Sequence, residues 1–232
     1  METLRAAGLS RCPGVDHLFG TRPVSSAAEA ARRLGLPPEA AVTVRQVHGD
    51  SILLVDSADP GSRGSDDGHD GMLTNRAGRL LAVATADCVP ILMADPEMNA
   101  VAAVHAGWRG SMKRIAAKAV EAMQKQFGSR PRNLVVAIGP SAGPCCYEVD
   151  ETVLAPLKRE FPEWRSVVRE FQNGKAKLDL RSLNRLQVMA SGVQSPRIET
   201  IEACTICSPD RYASFRREGA GAGRMFSGIL LR

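Results

Sequence analysis

Aromatic side chains are scarce in this chain of 232 residues: two Trp, two Tyr and six Phe, 4% of the total. That scarcity argues against a protein that stacks nucleic-acid bases on aromatic platforms. No nucleic-acid motif accompanies the net charge of +5, whose basic residues are scattered rather than clustered. Histidine is scarcer still, with four. Four imidazoles are too few to furnish a multinuclear oxygen-reducing copper cluster beside a separate electron-entry copper. No run approaches the ~18 apolar residues of a membrane span. The start, "METLRAAGLSRCPG", has no apolar centre of the kind a secretory signal carries. These absences predict a cytoplasmic protein that binds neither nucleic acid nor membrane and keeps its six cysteines reduced. In that setting a cysteine is of more interest as a ligand or nucleophile than as a cross-link.

What is present is ordinary for a folded protein: 44% hydrophobic and 24% charged residues. "SSAAEAARRLGLPP" predicts a short helix begun by serine and stopped by glycine and proline. "AAVTVRQVHGDSILLVDSAD" has two β-branched stretches around a His-Gly-Asp turn and predicts a hairpin, followed by an exposed loop, "PGSRGSDDGHDG". Apolar runs bounded by turn residues predict buried strands near 79–86 and 100–105. Apolar residues from Met112 to Phe127 recur with the spacing of one helix face, so a helix is expected over 111–127, capped by Ser111 and Gly128. "NLVVAIG" predicts a further strand, and "VDETVLAPLKREF" and "DLRSLNRLQVMASG" predict helices. "RIETIEAC" and "RMFSGILLR" predict closing strands around a long polar loop. No repeat, linker or regular strand–helix alternation appears. The expectation is one α+β domain over residues 1–232, with mixed sheets, packed helices and a monomeric state.

Chemistry concentrates at strand ends. His48 stands in "RQVHGD", Cys88 in "ATADCVPI" and His105 in "AVHAGWRG". Two imidazoles and a thiolate leave one position of a tetrahedral zinc open, as a catalytic site requires. The same set resembles the ligands of an electron-transfer copper. Without a metal, Cys88 becomes a nucleophile and His105 its base. Taken singly, each is also an ordinary strand-end residue. Asp70 is a candidate general acid or base, or a turn residue bonding its own backbone. Arg45, Arg109, Arg216 and Arg217 are candidates to fork onto a phosphate, and Glu148 is a second candidate acid. Trp108 serves either as a pocket wall or as core. "CTIC" is a lone CxxC without a second pair, and Cys145–Cys146 is a vicinal pair beside a turn. "GAGAG" neither follows a strand nor opens a helix, so it is not a nucleotide loop.

"QVHG", "DGMLT", "TADCVPILMAD", "AVHAGWRG", "IGPSAGPCCYEVD", "LDL", "CT" and "SFRREGAGAGR" follow one another over residues 45 to 232. In this order they resemble the YfiH-like, laccase-domain family, long labelled polyphenol oxidase and later described as purine nucleoside phosphorylases. The resemblance implies an α+β fold of the cysteine-hydrolase, cytotoxic-necrotising-factor type. It also implies zinc on His48, Cys88 and His105, with copper a possible substitute. The implied activities are phosphorolysis of adenosine, inosine and methylthioadenosine, and adenosine deamination, with purine nucleosides and phosphate as partners. Editing of an amide-linked cell-wall precursor and a laccase-like oxidase activity are alternatives, as is a metal-binding partner protein with incidental catalysis. For the first reading, Asp70, Cys88, His105 and Arg109 are the expected catalytic residues, and Arg45, Glu148 and Arg216 bind substrate. Phe215 departs from the pattern where a tyrosine is common.

Overall fold

The computed structural model describes residues 3–56 and 67–232. Most of the loop expected before Asp70 therefore lies outside the described residues. In chain order the first strands are β1 (Val15–Leu18), β2 (Ala41–Val42), β3 (Ile52–Leu54) and β4 (Gly71–Thr74). The central ones are β5 (Leu80–Thr85), β6 (Val89–Asp95), β7 (Ala100–Ala106), β8 (Val135–Ile138) and β9 (Glu148–Val149). The last are β10 (Val168–Gln172), β11 (Lys175–Leu178), β12 (Ile198–Thr200) and β13 (Met225–Leu231). The helices are α1 (Ala7–Ser10), α2 (Ala27–Arg33), α3 (Trp108–Met112), α4 (Ile115–Phe127), α5 (Glu151–Glu160), α6 (Leu180–Ala190) and α7 (Phe215–Glu218).

The apolar runs become strands that are covered on both faces. A mixed sheet runs in the order β12-β8-β6-β7-β4-β3. Alternate residues of β6 and β7 point to opposite sides. Ile91, Met93, Ala102 and Val104 meet a layer that includes Ile115, Ala119, Val120 and Met123 of α4. Leu92, Ala94, Val101 and Ala103 meet Leu81, Val83 and Ile229 of a second sheet, ordered β1-β13-β5-β2. The outer face of that second sheet packs Leu80, Ala82 and Leu230 against Ala30, Ala31 and Leu34 of α2 and its end. Two stacked sheets between helical layers explain why β7 reads as a continuous apolar run rather than an alternating one. A small three-stranded sheet, β10-β11-β9, adds Val149, Ala176 and Leu178 to the core on the α4 side.

Two expectations are corrected. The predicted hairpin does not form. β2 pairs with β5 in one sheet and β3 pairs with β4 in the other, both parallel. The intervening chain, with His48 in it, crosses from one sheet to the other. The helix expected over 111–127 is two helices. Arg114 takes the left-handed backbone conformation (φ 62°) between α3 and α4. Ser111 is no cap: it is buried inside α3, where its hydroxyl accepts from Asn184 Nδ2 (2.9 Å) and its carbonyl from Gln187 Nε2 (2.8 Å). Tying α3 to α6 in this way turns the chain before α4 begins. Gly128 ends α4 with φ 70°, as its sequence position predicts. Ser26, Asp150 and Asp179 cap α2, α5 and α6 through their side chains.

Candidate metal centre and substrate cavity

The sheets part at the ends of β5, β6 and β7, and three chain segments meet there. His105 is the penultimate residue of β7, paired across the sheet with Pro90. Cys88 ends the turn from β5 into β6. His48 comes from the crossing segment. One side-chain donor atom from each lies within 4.8 Å of the others, and the two imidazole rings meet edge to face at 4.9 Å. The three residues singled out in the sequence are thus brought together.

Asp70 organises them. Its carboxylate is fully buried and accepts the backbone N–H groups of Val47 (3.1 Å), His48 (3.0 Å) and Gly49 (2.6 Å). These successive N–H groups form an anion nest, which helps hold His48 in a left-handed conformation at φ 59°. The same carboxylate accepts from His105 Nδ1 at 2.7 Å. That contact fixes the tautomer and turns Nε2 away from Asp70. Burial opposes ionisation of Asp70, but His105 and the nest more than offset it and hold its carboxyl below the usual range. Asp70 does not line the cavity, and both its oxygens are engaged. A general acid or base role would need an oxygen that reaches substrate; in this structure both oxygens bond Val47, His48, Gly49 and His105.

The donors fit a metal ion. Cys88 is favoured as thiolate: burial alone would raise its pKa, but hydrogen bonds and positive charge from His105 and His48 bring it down to about 6. For His105, burial would lower the pKa, while Asp70 and Cys88 outweigh it and favour the charged ring. With Nδ1–H held by Asp70, an ion that displaces the Nε2 proton would meet a negative sulfur and two neutral imidazoles, the ligand chemistry zinc and copper favour. Gly107 completes the cradle: a Cβ built there would lie 2.9 Å from His48 Cδ2 and 3.2 Å from Cys88 Sγ.

The three residues face a cavity of about 570 Å³, the size of a small-ligand site. Val44, Gln46 and His48 line it, whereas Arg45 and Val47 between them do not. This two-residue repeat is that of an extended chain, and Arg45 is accordingly not a cavity residue. Gln46 fixes the segment by exchanging two 2.8 Å hydrogen bonds with the backbone of Ala84. Arg109 and Arg216 stand in the wall with Trp108, Tyr147, Phe215 and Arg224. The Arg109 guanidinium lies over the Trp108 ring at 4.3 Å, and that of Arg216 over the Tyr147 ring at 5.0 Å. Glu148 points elsewhere, to Lys175 Nζ at 3.1 Å, and does not line the cavity. Arg217 is committed to the backbone carbonyls of Thr205, Ile206 and Tyr212.

Asp87, beside Cys88 in the sequence, anchors the C-terminal loop rather than an imidazole. At φ 87° it departs from the β-strand conformation on either side. Its carboxylate accepts from Thr205 Oγ1 (2.5 Å), Ser214 Oγ (3.0 Å) and the Arg216 backbone N–H (2.7 Å). One turn residue thereby holds the C-terminal loop over the cavity and brings Phe215 and Arg216 to it. The neighbouring "CT" and "SFRR" motifs carry these donors, but their partner is visible only in three dimensions.

Comparison with known proteins places the chain among relatives of the same fold. The family described as multi-copper polyphenol oxidoreductase laccase matches residues 24–232. A Geobacillus stearothermophilus protein named purine nucleoside phosphorylase YlmD is 39% identical over 212 residues, covering 89% of this chain and 77% of that one. A protein named adenosine deaminase RL5, from an unknown prokaryotic organism, is 38% identical over 208 residues, 86% of this chain and 78% of that one. The crystal structure of the Geobacillus stearothermophilus YlmD superposes with a TM-score of 0.89 at 35% identity, over 100% of this chain and 97% of that one.

Proposed function

Because the chain belongs to the multi-copper polyphenol oxidoreductase laccase family, we propose that it is a zinc-dependent purine nucleoside phosphorylase with a secondary adenosine deaminase activity. The observation that carries this reading is one cavity holding both the His48–Cys88–His105 group and two wall arginines. Relatives named for each activity support it. An ion on His48, Cys88 and His105 would supply a Lewis acid with an open position, and an acidified water for deamination.

The chain's own residues do the rest. Trp108, Tyr147 and Phe215 offer flat apolar surface to a purine and exclude water. Arg109 and Arg216 bind the phosphate dianion and hold it by its oxygens. In phosphorolysis a phosphate oxygen forms a bond to C1′ of the ribose as the bond from C1′ to the base nitrogen breaks. The base leaves with the electron pair and needs a proton. Burial pushes the Tyr147 hydroxyl up to about 12, against the pull of Arg216, so it remains protonated and can donate. Adenosine, inosine and methylthioadenosine are the expected substrates, with copper able to displace zinc on intrinsic affinity. The protein is taken to act in the cytoplasm as a single catalytic domain over residues 1–232; no described helix is long and apolar enough to cross a membrane.

The test is conversion of adenosine by protein that has been stripped with a chelator and then reloaded. Activity lost on stripping, restored by zinc and absent from His105→Ala supports the reading. Full activity after stripping would sink it. It would favour instead a hydrolase in which the Cys88 thiolate is paired with the His105 imidazolium, a reading that the lowered Cys88 pKa supports.

A further inference from the structure

A second group of sulfurs lies outside this cavity. Sγ atoms of Cys145, Cys146, Cys204 and Cys207 all lie within 4.8 Å of one another. The lone CxxC of the sequence thus finds its second pair in the vicinal cysteines. We propose that these four cysteines form a separate, closed metal site that takes a single zinc ion and fastens two loops of the cavity wall together.

Topology supplies the convergence. β8 and β12 are parallel neighbours, with Thr200 opposite Ile138, so the chain leaves both strands on the same side. The two loops then stay paired: Ser141 N–H donates to the Ala203 carbonyl (3.3 Å) and Thr205 N–H to the Ser141 carbonyl (3.0 Å). Cys204 lies within that pairing, opposite Ser141, with Cys207 just beyond it; Cys145 and Cys146 follow Ser141 after one Gly-Pro turn.

The sulfur spacing suits one ion. Four thiolates around zinc at about 2.3 Å stand about 3.8 Å apart along each edge of the tetrahedron. Cys145 and Cys207 are 3.8 Å apart, whereas a disulfide requires about 2.05 Å and would join only two of the four. A set this tight surrounds one ion and leaves no room for a polynuclear cluster. Sulfur-only tetrahedral sets select zinc or iron–sulfur centres; the spacing excludes a cluster, and of the single ions zinc is the usual occupant of closed four-cysteine structural sites. Four protein ligands leave no position for substrate, which is the mark of a structural site.

The surroundings accommodate thiolates. Gly143 N–H donates to Cys204 Sγ at 3.2 Å. Gly143 lets the backbone come close to the sulfurs: a Cβ there would crowd Cys204 Cβ at 3.0 Å, Arg181 Nη2 at 3.2 Å and Cys145 Sγ at 3.3 Å. Arg181 is buried, with its Nε unpartnered. A guanidinium beside the cysteines offsets the net negative charge of a tetrathiolate site. Cys145 and Cys207 are exposed, giving the ion a way in.

The consequence reaches the cavity. Thr205, inside the CxxC turn, donates to Asp87 next to Cys88, and Tyr147 follows Cys146 directly. Losing the ion frees both loops at the points where they hold the wall.

The experiment measures metal in the full chain, purified under reducing conditions, exposed to zinc and then desalted. A His48→Ala/Cys88→Ser variant removes two donors of the cavity group while leaving His105 on Asp70. It is expected to retain one zinc per chain, and its cobalt-loaded form to show the intense sulfur-to-metal bands of a tetrathiolate. Adding Cys204→Ser/Cys207→Ser should remove that zinc and those bands. Should the quadruple variant not fold, alkylation of the double variant decides: zinc must protect all four cysteines, and a chelator must expose them. A double variant that binds no zinc, whose four cysteines alkylate at the same rate with and without it, or form a disulfide, overturns the proposal.

Discussion

Asp70 and His105 are joined twice. The imidazole Nδ1–H donates to the Asp70 carboxylate at 2.7 Å, and the His105 backbone N–H donates to the Asp70 carbonyl, also at 2.7 Å. The carboxylate also receives the backbone of His48, so one buried side chain sets two of the three cavity donors.

Asp70→Asn should therefore act on metal binding. Its amide must turn an N–H toward either the nest or His105, and both are donors. An expected 10- to 100-fold loss of zinc affinity, read by competition with a chromophoric chelator, checks this. Unchanged affinity would mean that Asp70 serves only the loop.

Gly107→Ala tests the cradle. The added methyl would lie 2.9 Å from His48 and 3.2 Å from Cys88 Sγ, closer than packed atoms sit. Zinc at the cavity should fall well below one ion per chain, while the circular-dichroism spectrum stays that of the parent.

Arg109→Ala and Arg216→Ala should each raise the KM for phosphate about tenfold, the loss of one charge-assisted contact worth roughly 1.5 kcal/mol. The KM for the nucleoside should move less. Steady-state kinetics with each substrate varied in turn separates the two. An equal rise in both constants would point to a distorted cavity rather than a lost phosphate ligand.

His17 gives the fold an acid sensitivity. It is fully buried, and its Nε2 accepts the Ala6 N–H at 2.8 Å, a bond only the neutral ring can make. Burial and the nearby Arg5 lower its pKa from 6.5 to about 4. Between those values the unfolded chain binds the proton and the folded chain does not. Stability is therefore full above pH 6.5 and falls as the pH drops toward 4, by about 3 kcal/mol in total. His17→Gln keeps an acceptor without the titration, so urea midpoints at pH 7 and pH 5 should differ less in the variant than in the parent.

Much of this was legible in the sequence. His48, Cys88 and His105 each sit beside a turn at a strand end, and soft donors at strand ends converge when the strands share a sheet. The apolar runs of β5 and β7 named themselves by length. What failed had long-range causes. The hairpin around His48 was misread because local β-propensity does not say which strand is the partner; Gln46 answers that by pairing with Ala84, 38 residues on. The break at Arg114 has no glycine or proline to announce it. The sequence offers Asp70 and Glu148 as acids by their chemistry, but their partners, His105 and Lys175, are set by the fold. Arg45 was one residue out of phase with the face that lines the cavity.

The most direct measurement is the phosphate dependence of adenosine cleavage by zinc-loaded protein, with products separated and weighed. Adenine and ribose 1-phosphate are expected in equal amounts, in proportion to phosphate occupancy, with minor inosine that does not need phosphate. Inosine as the main product, or adenine formed equally well without phosphate, would contradict it.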